Sequence, residues 1–258
     1  MTTKPTQSTK RVLAVHDLCS FGRCSLTAAI PVISAMGIQV CPFPTAWFSN
    51  NLTYGTFHFT DFTAGMTAFM EKWESLGLHY DAIYSGFLAD AGQIAVVNDA
   101  IRRFRREETL VVVDPAMGDD GALYPVFQPS IVEEMRKLVA HATVITPNFT
   151  EACLLLGEPL QKPDAMTAPD AATLRRMLER LAALGARQVV ITSPRAKASS
   201  RWRAMTPKRR FSTSGRRRAF LLPLAARAIS LQACSRAGCC AGARSAKRRR
   251  SPCSSRAM

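Results

Sequence analysis

The feature that most constrains the fold is a repeated alternation between short apolar runs and amphipathic segments. The apolar runs, rich in Val and Ile, predict buried strands, and they lie at Arg11–Val15, Ile38–Phe43, Asp81–Gly86, Thr109–Asp114, Ala142–Thr146 and Gln188–Thr192. The segments with helical spacing are Ser25–Gly37, Asp61–Leu76, Gly92–Arg105, Ser130–Ala140 and Ala171–Leu184. Parallel strands covered by helices on both faces account for this order. We therefore predict an α/β fold, a three-layer α/β/α sandwich with a mostly parallel central sheet.

Charge divides the chain at Ser193–Pro194. The whole chain carries 34 Lys and Arg against 19 Asp and Glu, but 18 of the basic residues and none of the acidic ones follow Ser193. Residues 1–193 therefore carry a small net negative charge and give no reason to expect a polyanionic partner. We predict a folded domain over 1–193 and a separate basic tail over 194–258 that is poorly ordered.

The N-terminal sequence MTTKPTQSTKR is polar and lacks the apolar core of a signal peptide. No apolar run approaches the length that crosses a membrane. The eight cysteines show no paired CxxC spacing, so reduced thiols are the expectation. These features predict a cytoplasmic protein without a membrane partner.

Polar residues at the ends of the predicted strands are the candidate site, because ligands of open parallel sheets bind beyond the carboxyl ends of the strands. In VVVDPAMGDDG, Asp114 follows a buried strand, where a carboxylate suits a divalent cation or a polyphosphate held through one; a turn or capping role is the alternative. In VITPNFTEA, Asn148 and Glu151 stand three residues apart at a helix start. Glu151 would hold Mg²⁺ through water while Asn148 orients phosphate, or the two would simply cap the helix.

Six motifs occur along the chain in a specific order: AVHDLCSFGRCSL, FPTAWFSNNLTYG, YSGFL, VVVDPAMGDDG, VITPNFTEA and VVITS. From about Arg11 to Ser193 the chain resembles the pyridoxal (pyridoxamine) kinases of the ribokinase-like superfamily. The resemblance implies a ribokinase-like fold that is incomplete at its C-terminal end. It also implies transfer of the ATP γ-phosphate to the 5′-hydroxyl of pyridoxal, pyridoxamine or pyridoxine, with Mg²⁺, in a homodimer.

The resemblance also implies roles for individual residues of this sequence. Asp17, Thr45 and Phe87 match positions that contact the vitamin, although the family more often has Ser at the position of Asp17. The positions that match the nucleotide side are Asp114, Asp119, Thr146, Asn148, Thr192 and Ser193. Asp114 and Glu151 match the metal-binding positions.

One family motif is missing. In the family a later GTGD segment supplies backbone N–H groups to the transferring phosphate and an Asp that takes the alcohol proton. Here no Asp follows Ser193. The place of that motif is taken by Ala226, Arg227, Ala228 and Ile229. The resemblance therefore implies a kinase whose phosphate transfer is impaired.

A shift of reading frame offers an account of the missing motif. The stretch ARAISLQAC, Ala226–Cys234, can be encoded so that the neighbouring frame reads GTGDLFASV. We hypothesise that the frame slips near Ser193–Pro194 and that the tail is out-of-frame translation or a sequencing artefact. The coding DNA would then contain the GTGD codons in another frame.

Two other interpretations remain open at this stage. The first is an inactive kinase fold with a basic tail that binds nucleic acid; the tail has the charge but few aromatic residues and no zinc-ligand spacing, so we expect no such partner. The second is a related kinase that acts on a hydroxymethylpyrimidine or a sugar.

Overall fold

The computed structural model describes residues 9–160 and 169–192. The strands are β1 (Arg11–Phe21), β2 (Gln39–Asn50), β3 (Phe59–Asp61), β4 (Ala82–Ser85), β5 (Leu110–Val113), β6 (Gly118–Asp119), β7 (Ala122–Leu123), β8 (Val144–Ile145) and β9 (Gln188–Val189). The helices are α1 (Ser25–Ser34), α2 (Thr63–Ser75), α3 (Ala91–Phe104), α4 (Ile131–Ala140), α5 (Phe149–Leu156) and α6 (Ala171–Ala183).

The central sheet has seven strands in the order β3-β2-β1-β4-β5-β8-β9. Every neighbouring pair is parallel except β2 and β3, which run antiparallel. β6 and β7 form a separate two-stranded hairpin between β5 and α4. The mostly parallel sheet confirms the predicted fold class.

The two faces of the sheet are covered unequally within the described residues. Helices α2 to α6 supply the core on one face, where Leu13, Ile83 and Val113 are buried. On the opposite face, α1 packs Leu26 and Ile33 against the other side of the same strands. Alternate residues of β1, β4 and β5 therefore enter different cores, which explains why these strands are apolar throughout instead of alternating with polar residues.

The structure adds elements that the sequence did not predict. β2 continues past Phe43 to Asn50, and β3 pairs with its far end. Pro42 and Pro44 interrupt the sequence pattern of β2, and all three residues of β3 are exposed, so neither segment has the apolar pattern of a buried strand.

Part of the sequence prediction falls outside the described residues. This applies to Ser193, to the whole segment 194–258, and therefore to Ala226–Ile229. Across the described part of the chain, no helix combines the length and the apolar character needed to cross a membrane.

Candidate functional site

The predicted vitamin-side residues meet at an irregularity between β1 and β2. The two strands pair His16 with Pro44 and then Leu18 with Trp47. Between these pairs β1 contributes Asp17 alone, whereas β2 contributes Thr45 and Ala46. An extra residue in one strand bends the strand and redirects its side chains. Asp17 and Thr45 are thus brought together at this bend, and both are buried.

Asp17 is held by its neighbour His16. The His16 Nδ1 atom lies 2.6 Å from Asp17 Oδ1 and also accepts a hydrogen bond from the Asp17 amide at 2.9 Å. The imidazole ring lies against the main chain of Gly86, where an added Cβ would be 2.0 Å from His16 Cδ2. Position 86 is therefore restricted to glycine by the close approach of His16 rather than by its own backbone angles.

Thr45 and Phe87 contact each other directly. The Thr45 hydroxyl donates to the carbonyl oxygen of Phe87 at 3.2 Å, and Thr45 has no exposed surface. The Phe87 ring stacks on Phe127 at 5.4 Å between ring centroids and meets Phe48 edge-on at 6.1 Å. Thr45 therefore helps to fix the position of Phe87, whose ring joins an aromatic row with Phe48 of β2 and Phe127 before α4.

Tyr84 connects the two halves of the candidate site. It lies in β4, between β1 and β5, and its side chain is buried. Burial raises the pKa of the Tyr84 hydroxyl, and the negative charges of Asp114 and Asp17 raise it further. Both carboxylates therefore lie within electrostatic reach of one tyrosine, on either side of β4.

The nucleotide-side residues form a second buried group. Asp114 follows β5 and has 3% of its surface exposed, and Glu151 in α5 has 1%. Desolvation raises the pKa of the Glu151 carboxyl well above its usual value, and the charge of Asp114 raises it further. Hydrogen bonds from the backbone of Asn148 and Met117 lower that pKa in part. The two carboxylates thus repel one another in a site with little water.

Asn148 links α5 to the β6–β7 hairpin. Its side-chain oxygen accepts a hydrogen bond from the backbone N–H of Glu151 at 2.9 Å, and the Glu151 carboxylate accepts one from the backbone N–H of Asn148 at 2.7 Å. The side-chain NH₂ group of Asn148 donates to the Gly118 carbonyl at 2.8 Å, and the Thr150 hydroxyl accepts from the backbone N–H of Gly121 at 3.0 Å. The hairpin that carries Asp119 is therefore attached to the first turn of α5. Both alternatives for Asn148 and Glu151 are compatible with this arrangement, because they cap the helix and also face the hairpin.

Thr146 and Thr192 lie at the last two strand ends of this edge. Thr146 follows β8 and is fully buried. Thr192 forms an isolated parallel bridge with Asn148, and its amide donates to the Pro147 carbonyl at 2.8 Å. The structure therefore places Thr192 beside the Asn148 segment.

Asp114 and Glu151 suit a divalent cation that keeps water ligands better than one coordinated entirely by protein side chains. No group of three or more His, Cys, Asp or Glu side chains within residues 9–160 and 169–192 is arranged to hold a metal ion. Mg²⁺ commonly takes only one or two protein carboxylates and completes its shell with water and nucleotide phosphate. Asp114 and Glu151 could supply two hard oxygen ligands to such a cation, which would relieve their repulsion.

The structure also reveals functional candidates that sequence reasoning missed, namely His16, Gln93 and Thr150. Each contacts a partner far away in sequence, and His16 also contacts its neighbour Asp17. The sequence pointed only to the distant partner of His16, which is Gly86 directly after the buried strand AIYS.

Comparison with known proteins identifies the family. The family model described as phosphomethylpyrimidine kinase matches residues 21–218, which extends past Ser193. A pyridoxal kinase of Deinococcus radiodurans is 30% identical over 193 residues, covering 71% of this chain and 62% of the relative. The pyridoxal kinase of Sus scrofa is 28% identical over 196 residues, covering 72% of this chain and 58% of the relative. The chain spans 44 to 62% of the length of the curated relatives it matches.

Solved structures agree with the family model. The pyridoxal kinase of Lactobacillus plantarum superposes with a TM-score of 0.66 at 30% identity, covering 80% of this chain and 75% of that one. A Bacteroides thetaiotaomicron protein assigned as a phosphomethylpyrimidine kinase, solved with pyridoxal, superposes with a TM-score of 0.69 at 43% identity. That match covers 74% of this chain and 65% of the other. The order of strands, the polar residues at their carboxyl ends and these matches together place the chain in the pyridoxal kinase family of the ribokinase-like superfamily.

Proposed function

We propose that this chain binds a B6 vitamer and ATP with Mg²⁺ side by side at the carboxyl edge of its sheet, as a pyridoxal kinase. The observation that carries the proposal is the strand order β1-β4-β5, which places buried Asp17 of β1 and buried Asp114 after β5 on either side of Tyr84 in β4. Phosphate transfer requires that the acceptor alcohol and the nucleotide phosphate be held in contact. Phe87 and Asp114 follow the neighbouring strands β4 and β5, so the two proposed sites lie next to each other at this edge of the sheet.

The substrate class is proposed from the aromatic row and from the relatives. Phe87 is only partly buried and packs against the buried rings of Phe48 and Phe127, which suits it to contact a planar heteroaromatic ring. Asp17, in the neighbouring strand β1, offers a polar group to the same substrate. The Bacteroides thetaiotaomicron structure was solved with pyridoxal, and a Leishmania donovani pyridoxal kinase was solved with ADP and pyridoxamine. These ligands support pyridoxal, pyridoxamine or pyridoxine as the substrate here.

The nucleotide side is proposed to hold the ATP phosphates between the β6–β7 hairpin and the start of α5. The side chains of Asp114 and Glu151 would hold Mg²⁺, which neutralises phosphate charge when bound. Asn148 and Thr150 fix the hairpin that carries Asp119, and Thr146 and Thr192 lie at the neighbouring strand ends. The residues of this chain thus position the nucleotide and exclude water from its phosphates.

The transfer step itself is proposed to be slow. The 5′-hydroxyl must lose its proton as it attacks the γ-phosphorus, and the transferring phosphoryl group needs donors for its oxygens. The family assigns both tasks to the GTGD segment, in whose place this sequence has Ala226, Arg227, Ala228 and Ile229. Binding and transfer are therefore separable in this chain, and binding is the more direct test of the substrate class.

The test is a competition panel with the full chain, in the presence of Mg²⁺ and a non-hydrolysable ATP analogue. Pyridoxal, pyridoxamine, pyridoxine, a hydroxymethylpyrimidine and ribose compete for the site, and equilibrium dialysis ranks their affinities. We expect the three B6 vitamers to bind more tightly than ribose and the pyrimidine. The description of the matching family model favours hydroxymethylpyrimidine as the second candidate, and tighter binding of that compound would replace pyridoxal as the proposed substrate.

A further inference from the structure

Gln93 is a fully buried polar residue in the first turn of α3, and the proposed reaction does not use it directly. Its Nε2 atom donates to the Thr45 carbonyl at 2.9 Å, to Thr63 Oγ1 at 2.8 Å and to Asp61 Oδ1 at 3.2 Å. Its Oε1 atom accepts from the Ala89 amide at 2.7 Å. One carboxamide therefore joins the middle of β2, the β3–α2 junction and the β4–α3 loop.

The chain segments joined by Gln93 are the ones that carry the proposed vitamin pocket. Ala89 lies two residues after Phe87, whose carbonyl accepts from the Thr45 hydroxyl. The Thr45 carbonyl accepts from both Gln93 and the Phe62 amide, the latter at 3.1 Å. Thr45 and the Phe87 loop are thus held by their mutual hydrogen bond and also by the side chain of Gln93, which bonds to Thr45 and to Ala89.

The chemistry of this contact requires an amide. Toward Thr45, Asp61 and Thr63 the side chain must donate, and toward Ala89 it must accept. A carboxylate of the same size would place an acceptor against the Thr45 carbonyl and the Asp61 carboxylate. An apolar side chain of the same length would leave the buried Thr45 carbonyl with one hydrogen bond fewer. A carboxamide carries an NH₂ donor with two hydrogens and a carbonyl acceptor on the same carbon, and Gln reaches further than Asn.

We propose that Gln93 is the positioning residue of the pyridoxal pocket, setting the Phe87 loop against Thr45 without touching the vitamin. The inference rests on the proposed function, because it concerns the same pocket. Side chains that touch a ligand need supporting hydrogen bonds to stay within about 0.5 Å of the productive geometry. Loss of the Gln93 contacts should therefore weaken pyridoxal binding and leave the nucleotide side, built on β5, α5 and the β6–β7 hairpin, unchanged.

The test compares Gln93→Met and Gln93→Glu with the unmodified full chain. Gln93→Met removes all four contacts at nearly constant volume, while Gln93→Glu keeps the acceptor for Ala89 and loses the donor. Thr109→Val is the matched control, because Thr109 is also buried and lies just before β5 begins. It removes the bond from the Thr109 hydroxyl to the Tyr80 carbonyl at 2.9 Å and the bond that this hydroxyl accepts from the Arg106 amide at 3.0 Å. The measurements are the Kd of pyridoxal, the Kd of ADP, and amide hydrogen exchange of peptides that span residues 86–92.

We expect Gln93→Met to raise the Kd of pyridoxal about tenfold, the size expected for loss of a net hydrogen bond or two. We expect an unchanged Kd for ADP and faster exchange at residues 86–92, with Gln93→Glu at least as severe and Thr109→Val changing neither Kd. An unchanged Kd for pyridoxal, or equal weakening of pyridoxal and ADP, would overturn the inference while the proposed function stands. Failure of the unmodified chain to bind pyridoxal would overturn the proposed function and this inference with it, and the exchange data would still report whether Gln93 holds the loop.

Discussion

Glu151 combines almost complete burial with a negatively charged neighbour. Desolvation and the charge of Asp114 raise its pKa above the ordinary value of 4.5, so the folded protein holds a proton there more tightly than the unfolded chain does. As pH rises from about 4.5, where the carboxyl ionises in the unfolded chain, toward the higher pKa of the folded state, the free energy of unfolding falls. Each unit by which the folded pKa is raised corresponds to about 1.4 kcal/mol of this decrease. The site therefore stores electrostatic strain that a bound cation would relieve.

Replacing Glu151 with Gln removes the charge and keeps an oxygen that accepts from the Asn148 amide. We expect the free energy of unfolding of Glu151→Gln to exceed that of the unmodified chain at pH 8, with the difference shrinking toward zero near pH 4.5. Urea denaturation across that pH range, without metal or nucleotide, gives the measurement. Glu71→Gln, an exposed carboxylate in α2, is the control and should show no such trend. A difference that is the same at pH 8 and pH 4.5 would contradict the electrostatic account.

The residues that could be predicted from sequence are those that end strands. Asp114 and Asn148 follow runs of Val and Ile, and this position alone puts them at the ligand edge of a parallel sheet. Gln93 could not be predicted in this way, because its partners Thr45 and Asp61 are 48 and 32 residues away and its position in a helix looks ordinary. His16 was missed because its importance depends on Gly86, which only the pairing of β1 with β4 brings beside it.

At the scale of elements, α5 has two roles. It is a short helix whose N-terminal turn is closed by reciprocal bonds between Asn148 and Glu151, and Gly157 in the left-handed conformation ends it. The same Asn148 holds the β6–β7 hairpin through the Gly118 carbonyl. The capping interaction and the attachment of the hairpin therefore share one side chain.

This double role predicts an unequal effect of two helix-cap substitutions. Asn148→Ala should cost about 1–3 kcal/mol, since it removes a cap and leaves the Gly118 carbonyl without that donor. It should also weaken ADP binding, because the hairpin is released. Asp170→Ala removes the cap of α6, where the Asp170 side chain accepts from the Thr173 amide, and touches no strand end of the site. Unfolding and ADP titration compare the two, and equal loss of ADP affinity in both variants would refute the link to the hairpin.

Strands that are buried on both faces could be predicted from the sequence. The exposed edge strand β3 and the β6–β7 hairpin outside the main sheet could not. β4 and β5 are buried on both faces, so their apolar runs identified them at once. β3 has three exposed residues and exists only because β2 extends past its prolines to pair with it. The β6–β7 hairpin depends on the close approach of Gly118 to Ala122, where an added Cβ would lie 2.4 Å from the Ala122 carbonyl oxygen. Such contacts leave no periodic pattern in the sequence.

At the scale of the whole molecule, the sheet brings two polar sites to one edge. The proposed vitamin side lies on β1, β2 and the β4–α3 loop, and the proposed nucleotide side lies on β5, α5 and the β6–β7 hairpin. The break in composition after Ser193 falls beyond both sites. Binding is therefore proposed for residues before Ser193, whereas in the family phosphate transfer depends on a later segment, in whose place this sequence has Ala226 to Ile229.

That separation is tested most directly by the rate at which the full chain converts bound pyridoxal to pyridoxal 5′-phosphate. The assay supplies ATP and Mg²⁺ at saturating pyridoxal and runs beside the Lactobacillus plantarum pyridoxal kinase. Loss of a preorganised donor set for the transferring group typically costs at least about 10²-fold in rate. The account predicts saturable pyridoxal binding with conversion slower than that of the relative by at least this factor. Conversion at a rate similar to that of the relative would contradict it, because some other part of this chain would then supply both the base and the phosphate donors.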